Sequence, residues 1–166
     1  MIYLTTNGYF SEPPETDGEL GESFLLIYLD NCSFNRPFDD QTQLMISLES
    51  QAKLFIQQGI QSGRFELSWS YILEFENNKN PFEVRRESIF SWKGLAVKHI
   101  VESEDILLFG ETLMRRGVKK YDALHVACAY FGGCDRLITV DKGLLNKPIN
   151  EIIVQSPIDF VNGLEG

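Results

Sequence analysis

The chain has 166 residues, of which 43% are apolar, and this is enough for one domain with a buried core. Its three cysteines lack C-x-x-C spacing, which argues against a disulfide framework or a zinc ribbon and fits a reducing cytoplasm. The sequence contains no apolar run of about 18 residues and no signal-like leader. We therefore expect a single cytoplasmic domain with no membrane partner.

The formal net charge of −9 is unevenly distributed. Residues 1–23 carry five of the 24 acidic residues and none of the 15 basic residues, so 19 acids face 15 bases in the remainder. Phosphate-binding proteins usually show a basic surplus, which is missing here. However, a cluster of four metal-binding acids would leave the remaining domain neutral. The net charge therefore does not exclude nucleic acid as a partner.

The first half of the chain contains two predicted strands. Residues 1–23 are rich in Pro, Gly, Ser and acids and are predicted to be a disordered lead-in, with one domain over 24–166. The run FLLIYLD (24–30) predicts a strand that is buried on both faces. Residues 42–60 have helical spacing, with Gly59 as the predicted stop. RFELSWS (64–70) predicts a second strand, and Ser70 is a predicted cap for the helix containing YILEFENN.

The second half continues the alternation of helices and strands. Pro81 is predicted to open a helix over 81–96, and VKHIVE (97–102) is a candidate short strand. Helices are predicted over 103–116 and about 120–131, followed by strands in RLITV and INEIIVQ. The apolar C-terminal segment either closes the sheet or meets a partner. This alternation predicts an α/β fold whose mostly parallel sheet has helices on both faces.

Acidic residues stand where predicted strands end. Asp30 follows LLIYL and Asp141 follows LITV, and parallel sheets bind ligands beyond the carboxyl ends of their strands. Asp122 lies in the first turn of an Ala-rich helix, where the helix dipole favours an acid even without a function. The small apolar residues of that helix indicate close packing on the sheet, so we expect Asp122 to face a site. Glu76 and Glu74 are about 200° apart on their helix, and we prefer Glu76, which shares the apolar face, with Glu74 as the substitute.

Three or four carboxylates in one pocket need a counter-charge. Oxygen ligands at a strand edge suit Mg²⁺ or Mn²⁺, which keep several waters and accept phosphate oxygens. Such ions activate water and stabilise charge on a phosphoryl group under attack. The acidic cluster therefore predicts metal-dependent hydrolysis of phosphodiester bonds.

Three stretches, IYLDNCSF, SYILEFENNKNPF and YDALHVACAYFGGCDRLITVDKGLL, resemble the PIN domain in order and spacing. The resemblance covers about residues 24–155 and implies a three-layer α/β/α sandwich. Many members of that family are Mg²⁺- or Mn²⁺-dependent ribonucleases, including the toxins of bacterial toxin-antitoxin pairs. The resemblance implies a set of catalytic and metal-binding acids and two supporting residues. The acids are Asp30, Glu76, Asp122 and Asp141, and the supporting residues are Thr139 and Asn31.

RNA is the implied substrate, and a cognate antitoxin protein and a second copy of the chain are the other candidate partners. The predicted RNA-binding residues are Lys119, Lys120 and Arg86. The alternative is that these basic residues only lie on solvated helix ends. The enzyme would be either a toxin or a stand-alone processing enzyme. The main rival is a catalytically silent PIN-fold module that binds nucleic acid or protein. A receiver-like phosphoryl-transfer domain ranks last because no suitably placed strand-end Lys is present.

Some other residues invite a functional interpretation but are better explained by packing. We expect His125 to be a packed, hydrogen-bonded histidine because an oxygen-rich Mg²⁺ site does not need imidazole. Trp69 and Trp92 are predicted to pack in the core more than to stack on bases. Cys128 and Cys134 are predicted to be small core residues.

Overall fold

A computed structural model describes residues 24–164, so the predicted lead-in over 1–23 lies outside the described residues. Five strands form one sheet: β1 (Leu25–Leu29), β2 (Phe65–Ser70), β3 (Lys98–Ile100), β4 (Arg136–Ile138) and β5 (Ile153–Gln155). Their order in the sheet is β3-β2-β1-β4-β5, and each neighbouring pair is parallel. The central strand is therefore β1, and the C-terminal strand β5 closes one edge of the sheet.

The helices connect and flank these strands. They are α1 (Asn31–Asn35), α2 (Leu44–Gln61), α3 (Tyr71–Asn78), α4 (Glu83–Phe90), α5 (Glu104–Arg115), α6 (Lys120–Phe131), α7 (Lys142–Leu145) and α8 (Pro157–Gly163). Two 3₁₀ turns cover Arg36–Phe38 and Ser91–Leu95. Within residues 24–164, none of the helices is both long and apolar enough to cross a membrane.

The core lies on both faces of the sheet. In β1, Ile27 and Leu29 point into a cluster with α2 and α8, whereas Tyr28 points into a cluster with α5 and α6. This alternation is what a strand buried on both faces produces, because successive side chains point to opposite faces. The predicted α/β fold class is confirmed, and the layers are those of an α/β/α sandwich. Within the described part of the chain the sheet is entirely parallel.

Most predicted core and cap residues lie where the sequence indicates. Trp69, Cys128 and Cys134 are buried, and Trp92 packs against the core that contains Trp69. Ser70 caps α3, since its Oγ accepts a hydrogen bond from Leu73 N at 3.2 Å. Local sequence signals were sufficient for these positions.

Two predicted helix boundaries are wrong. Gly59 does not end α2, which continues to Gln61 before a turn in which Gly63 has a φ of 77°. Gly59 is needed for packing, because a Cβ there would lie 2.4 Å from carbons of the Phe65 ring. Pro81 does not open α4, which begins at Glu83. The side chain of Asn80 accepts a hydrogen bond from the backbone N–H of residue 82 at 3.1 Å, and this turn delays the helix.

Candidate active site

The strand order reverses between β1 and β4, and in parallel sheets this is where ligands bind. Asp30 directly follows β1, and Asp141 lies three residues after the end of β4. The helix that follows β1 is hydrogen-bonded to the end of β4, because Ser33 Oγ donates to the carbonyl oxygen of Ile138 at 3.0 Å. The fold therefore places two of the predicted acids on either side of the switch point.

Asp30 is the most buried of these acids, with 1% of its surface exposed. Its Oδ1 caps α1 by accepting a hydrogen bond from Ser33 N at 2.9 Å, and its Oδ2 accepts one from Cys32 Sγ at 3.2 Å. Burial, together with the neighbouring Asp30 charge, holds the pKa of the Cys32 thiol well above its usual range. Cys32 therefore acts as a neutral donor to the carboxylate.

Three predicted acids line one open cavity of about 330 Å³ at this edge. They are Asp30, Glu76 and Asp122, and the remaining lining residues are Asn31, Cys32, Asn35, Arg36, Asp39 and His125. Glu74 is not among them. Its Oε2 accepts hydrogen bonds from Lys93 Nζ at 2.7 Å and from Trp69 Nε1 at 3.2 Å. The helix acid that reaches the cavity is therefore Glu76.

Asp141 lies beside this cavity and does not line it. Its Oδ1 caps α7 by accepting from Leu144 N at 3.1 Å, and its own N–H donates to Thr139 Oγ1 at 3.0 Å. Thr139 is fully buried, so its hydroxyl fixes the backbone that carries Asp141. Thr139 therefore orients the turn at Asp141, and this contact is the geometric support for its predicted role.

Asp122 experiences the charges of its neighbours. Burial raises the pKa of its carboxyl above the usual value, and the charges of Asp141 and Asp30 raise it further. The charge of Lys119, and that of His125 whenever its ring is protonated, oppose this rise. Like charges that are close together disfavour ionisation. The three aspartates are thus electrostatically linked, and the cluster is short of positive charge.

A buried row of hydrogen-bonded side chains leads from Glu76 into the core, and it was not predicted from the sequence. His125 Nε2 contacts Glu76 Oε2, and His125 Nδ1 lies 2.6 Å from the Tyr28 hydroxyl. That hydroxyl lies 2.5 Å from Ser70 Oγ. Burial holds the pKa of Tyr28 well above its usual range, so its hydroxyl keeps its proton. His125 is packed and hydrogen-bonded, as predicted, but it also contacts a candidate catalytic acid.

The acids are not arranged as a ready-made metal site. Within residues 24–164, no three His, Cys, Asp or Glu side chains are close enough together to hold an ion. The side-chain conformations explain this, because Asp30 and Asp141 cap helices and Glu76 contacts His125. The available donors are oxygens, which fit Mg²⁺ or Mn²⁺ in type. At least one of these side chains must rotate for three of them to meet at an ion.

The predicted RNA-binding residues differ in their surroundings. Lys119 and Lys120 are exposed, and among residues 24–164 neither forms an ion pair with a carboxylate. Lys119 Nζ and Asp141 Oδ1 both lie within 4.0 Å of the position that a Cβ on Gly143 would occupy. Arg86 is half-buried and donates to the carbonyl oxygen of Asn80 at 3.0 Å. Lys119 therefore lies close to Asp141 and its charge acts on Asp122, whereas Arg86 holds a loop.

No protein-family model matches the chain, and no match is found among curated proteins. Among solved structures, the chain is similar to one from VapBC2 of Rickettsia felis bound to a DNA fragment from their promoter. The match covers 80% of this chain and 98% of the other, with 12% sequence identity and a TM-score of 0.49.

Proposed function

We propose that this chain is a divalent-metal-dependent endoribonuclease that hydrolyses RNA phosphodiester bonds. The observation that supports the proposal is the shared cavity of Asp30, Glu76 and Asp122, which come from three separate elements. Asp141 lies beside this cavity, and its charge raises the pKa of Asp122, which lines it. The repulsion between these like charges opposes folding, so their convergence lowers stability.

The acids would hold Mg²⁺ or Mn²⁺. Asp30, Asp122 and Asp141 are the proposed first ligands, and Glu76 is the proposed fourth. When bound, such an ion would activate water and stabilise negative charge on the phosphoryl group. It would also supply the positive charge that the cluster lacks, since the pKa of Asp122 is raised by burial and by its acidic neighbours.

The chain's own residues would support this chemistry in distinct ways. His125 and Tyr28 restrict the orientation of Glu76 through the contacts described above. Thr139 fixes the backbone of Asp141. Lys119, which lies close to the acids, would attract a substrate phosphate. Asn31 contributes a polar amide to the cavity wall.

The proposed partners follow from the resemblance to the PIN domain and from the site. RNA is the proposed substrate, and the cytoplasm is the proposed location. If the chain is a toxin, a cognate antitoxin protein would cover the cavity, and a second copy of the chain is a further proposed partner. A stand-alone processing enzyme would need no antitoxin.

A second candidate function is a catalytically silent module that binds nucleic acid or protein. One observation favours it: the acids in residues 24–164 are separated by their caps and by the contact between Glu76 and His125. In such a module the acids would serve only as helix caps and cavity walls. The two functions differ in turnover, which can be measured directly.

The test is a cleavage assay on a pool of single-stranded and structured RNA with Mn²⁺ or Mg²⁺. We expect the wild type to cut, EDTA to stop it, and Asp122→Asn to be inactive. Glu76→Gln should slow cleavage by roughly 100-fold or more, because it removes a carboxylate from the cavity. Glu74→Gln is the matched control, two residues away on another face of the helix, and should retain activity. If the wild type cuts no RNA under any of these conditions, the chain is the silent module.

A further inference from the structure

Two aromatic side chains and one amine form a small surface group on the two helices that carry Glu76 and Asp122. Phe75 is 46% exposed and Tyr121 is 37% exposed. Their ring centroids are 6.0 Å apart, with an angle of 54° between the planes. Lys79 Nζ lies 3.9 Å from the Phe75 centroid and donates to the Tyr121 hydroxyl at 3.2 Å. We call these three residues the aromatic-lysine group.

The position of this group follows from the same helix pair that builds the cavity. Phe75 immediately precedes Glu76 on α3, and Tyr121 immediately precedes Asp122 on α6. The C-terminal part of α3 meets the first turn of α6, so the two acids and the two rings lie at one seam. Neither ring lines the cavity itself, but each directly precedes, along its helix, an acid that does. Other aromatic residues are also exposed in this chain, so it is this location that sets the pair apart.

The charge around the group suits a phosphate chain. Among residues 24–164, no ion pair joins Lys79, Lys119 or Lys120 to a carboxylate. Lys119 and Lys120 directly precede Tyr121, so all three amines lie at the same end of α6 as the rings. Single-stranded nucleic acid is bound by aromatic faces that stack on bases, combined with cations that follow the backbone. Both components are present at this seam.

From this geometry we infer that Phe75 and Tyr121 form a stacking subsite for an unpaired base of single-stranded RNA, with Lys79 contacting the adjacent phosphate. The inference rests on the proposed function and deepens it, because it names the part of the substrate recognised next to the acids. A base held here would place its neighbouring phosphodiester toward the cavity. The subsite would thus select unpaired RNA over duplex, whose bases are already stacked.

The experiment measures binding without turnover. Full-length protein in EDTA is titrated against a short labelled single-stranded RNA and against an abasic phosphodiester chain of equal length. The variants Phe75→Leu and Tyr121→Leu keep apolar bulk and remove the ring, and Tyr121→Phe keeps the ring. The matched control is Phe131→Leu, since Phe131 is 45% exposed but lies at the opposite end of α6.

We expect the wild type to bind the RNA more tightly than the abasic chain. Phe75→Leu and Tyr121→Leu should each weaken RNA binding by roughly 10-fold, because each removes an aromatic face on which a base would stack. The abasic chain should bind these variants and the wild type equally well. Tyr121→Phe and Phe131→Leu should bind RNA as the wild type does.

Two results would overturn the inference. In the first, the wild type binds RNA and the two Leu variants bind it equally well. In the second, the wild type binds no single-stranded RNA, which leaves the surface to a protein partner. The cleavage assay separates this inference from the proposed function. Metal-dependent cleavage with unaffected Leu variants overturns only the subsite, whereas ring-dependent binding without any cleavage overturns only the nuclease.

Discussion

The buried imidazole of His125 hydrogen-bonds the carboxylate of Glu76 through Nε2. An ionised carboxylate can only accept, so Nε2 is the donor in this pair. With a neutral ring, Nδ1 then accepts from the Tyr28 hydroxyl, which accepts in turn from Ser70 Oγ. With this assignment, each donor in this row of side chains has an acceptor. His125 connects the core of the sheet to the one candidate acid that comes from α3.

Substitution of His125 should therefore affect Glu76. His125→Ala is expected to raise the Mn²⁺ concentration needed for half-maximal cleavage by roughly 10-fold, because partners that orient metal ligands typically contribute 10- to 100-fold. The measurement is the cleavage rate as a function of Mn²⁺ concentration. His99→Ala is the matched control, since His99 is the only other histidine and is exposed. An unchanged Mn²⁺ dependence in a folded His125→Ala protein would contradict the positioning role.

Removal of the Asp122 charge should stabilise the metal-free protein. The pKa of Asp122 is raised by burial and by Asp141 and Asp30, so folding favours its protonated form. The stability contributed by protonated Asp122 is fully present below the pKa that Asp122 has in the unfolded chain. It is lost as the pH rises through the higher pKa of Asp122 in the folded protein. Once ionised, the group therefore opposes folding, and Asp122→Asn in EDTA at neutral pH should raise Tm by a few degrees.

The control for this shift is Glu87→Gln, which neutralises an exposed acid of α4. It should leave Tm within about 1 °C of the wild type, because exposed charges contribute little. A Tm for Asp122→Asn at or below that of the wild type in EDTA would show that no repulsion is relieved.

Lys53 is a buried amine with an unusual pH dependence. It is 3% exposed, and burial lowers its pKa to about 7. The rings of Phe34 and Trp92 lie 5.0 and 5.9 Å from Nζ and favour the charged form, but burial outweighs them. The pKa of Lys53 is lower in the folded protein than in the unfolded chain, where it is about 10.4. The full stability of the protein is therefore present only above about pH 10.4. It falls as the pH drops toward 7.

Lys53→Met should therefore be more stable than the wild type near pH 6, with a Tm higher by at least roughly 3 °C. The difference should shrink as the pH rises from about 7 toward the unfolded pKa of lysine. Thermal unfolding across this pH range measures it, with the exposed Lys120→Met as control. A Tm difference that stays constant over the whole range would contradict the assigned pKa.

Gly59 tests the packing between α2 and β2. Helix propensity alone would favour Gly59→Ala by about 1 kcal/mol. The added Cβ would lie 2.4 Å from the Phe65 ring, and overpacking of this kind costs roughly 1–3 kcal/mol. We expect a net loss of stability in denaturant unfolding, with Phe65→Leu restoring part of it. Gly94→Ala, where an added Cβ meets no atom within 4 Å, should be neutral or slightly stabilising.

Local sequence patterns were sufficient for the parts of the fold that local physics controls. Ser103 caps α5, and Asp122 lies in the first turn of α6, as their spacing predicted. The helical angle between Glu74 and Glu76 also indicated which acid would share the apolar face, and Glu76 is the one at the cavity. These features depend on residues that are near in sequence, so one segment contains all the information they need.

The remaining features depend on residues that are far apart in sequence. The contact between Tyr28 and His125 joins residues 97 positions apart, and no local pattern indicates it. The pairing of Phe75 with Tyr121 likewise requires the packing of α3 on α6. The separation of the acids could not be predicted either, because it reflects the hydrogen bonds that each side chain makes in the folded chain.

The central claim is that the acids at the carboxyl edge of the sheet together bind a divalent ion. The most direct test is calorimetric titration of Mn²⁺ into the metal-free wild type, Asp122→Asn and the control Glu74→Gln. We predict saturable binding to the wild type and to Glu74→Gln, and at least roughly 10-fold weaker binding to Asp122→Asn. Equal Mn²⁺ affinity in all three proteins, or no saturable binding to the wild type, would contradict the claim.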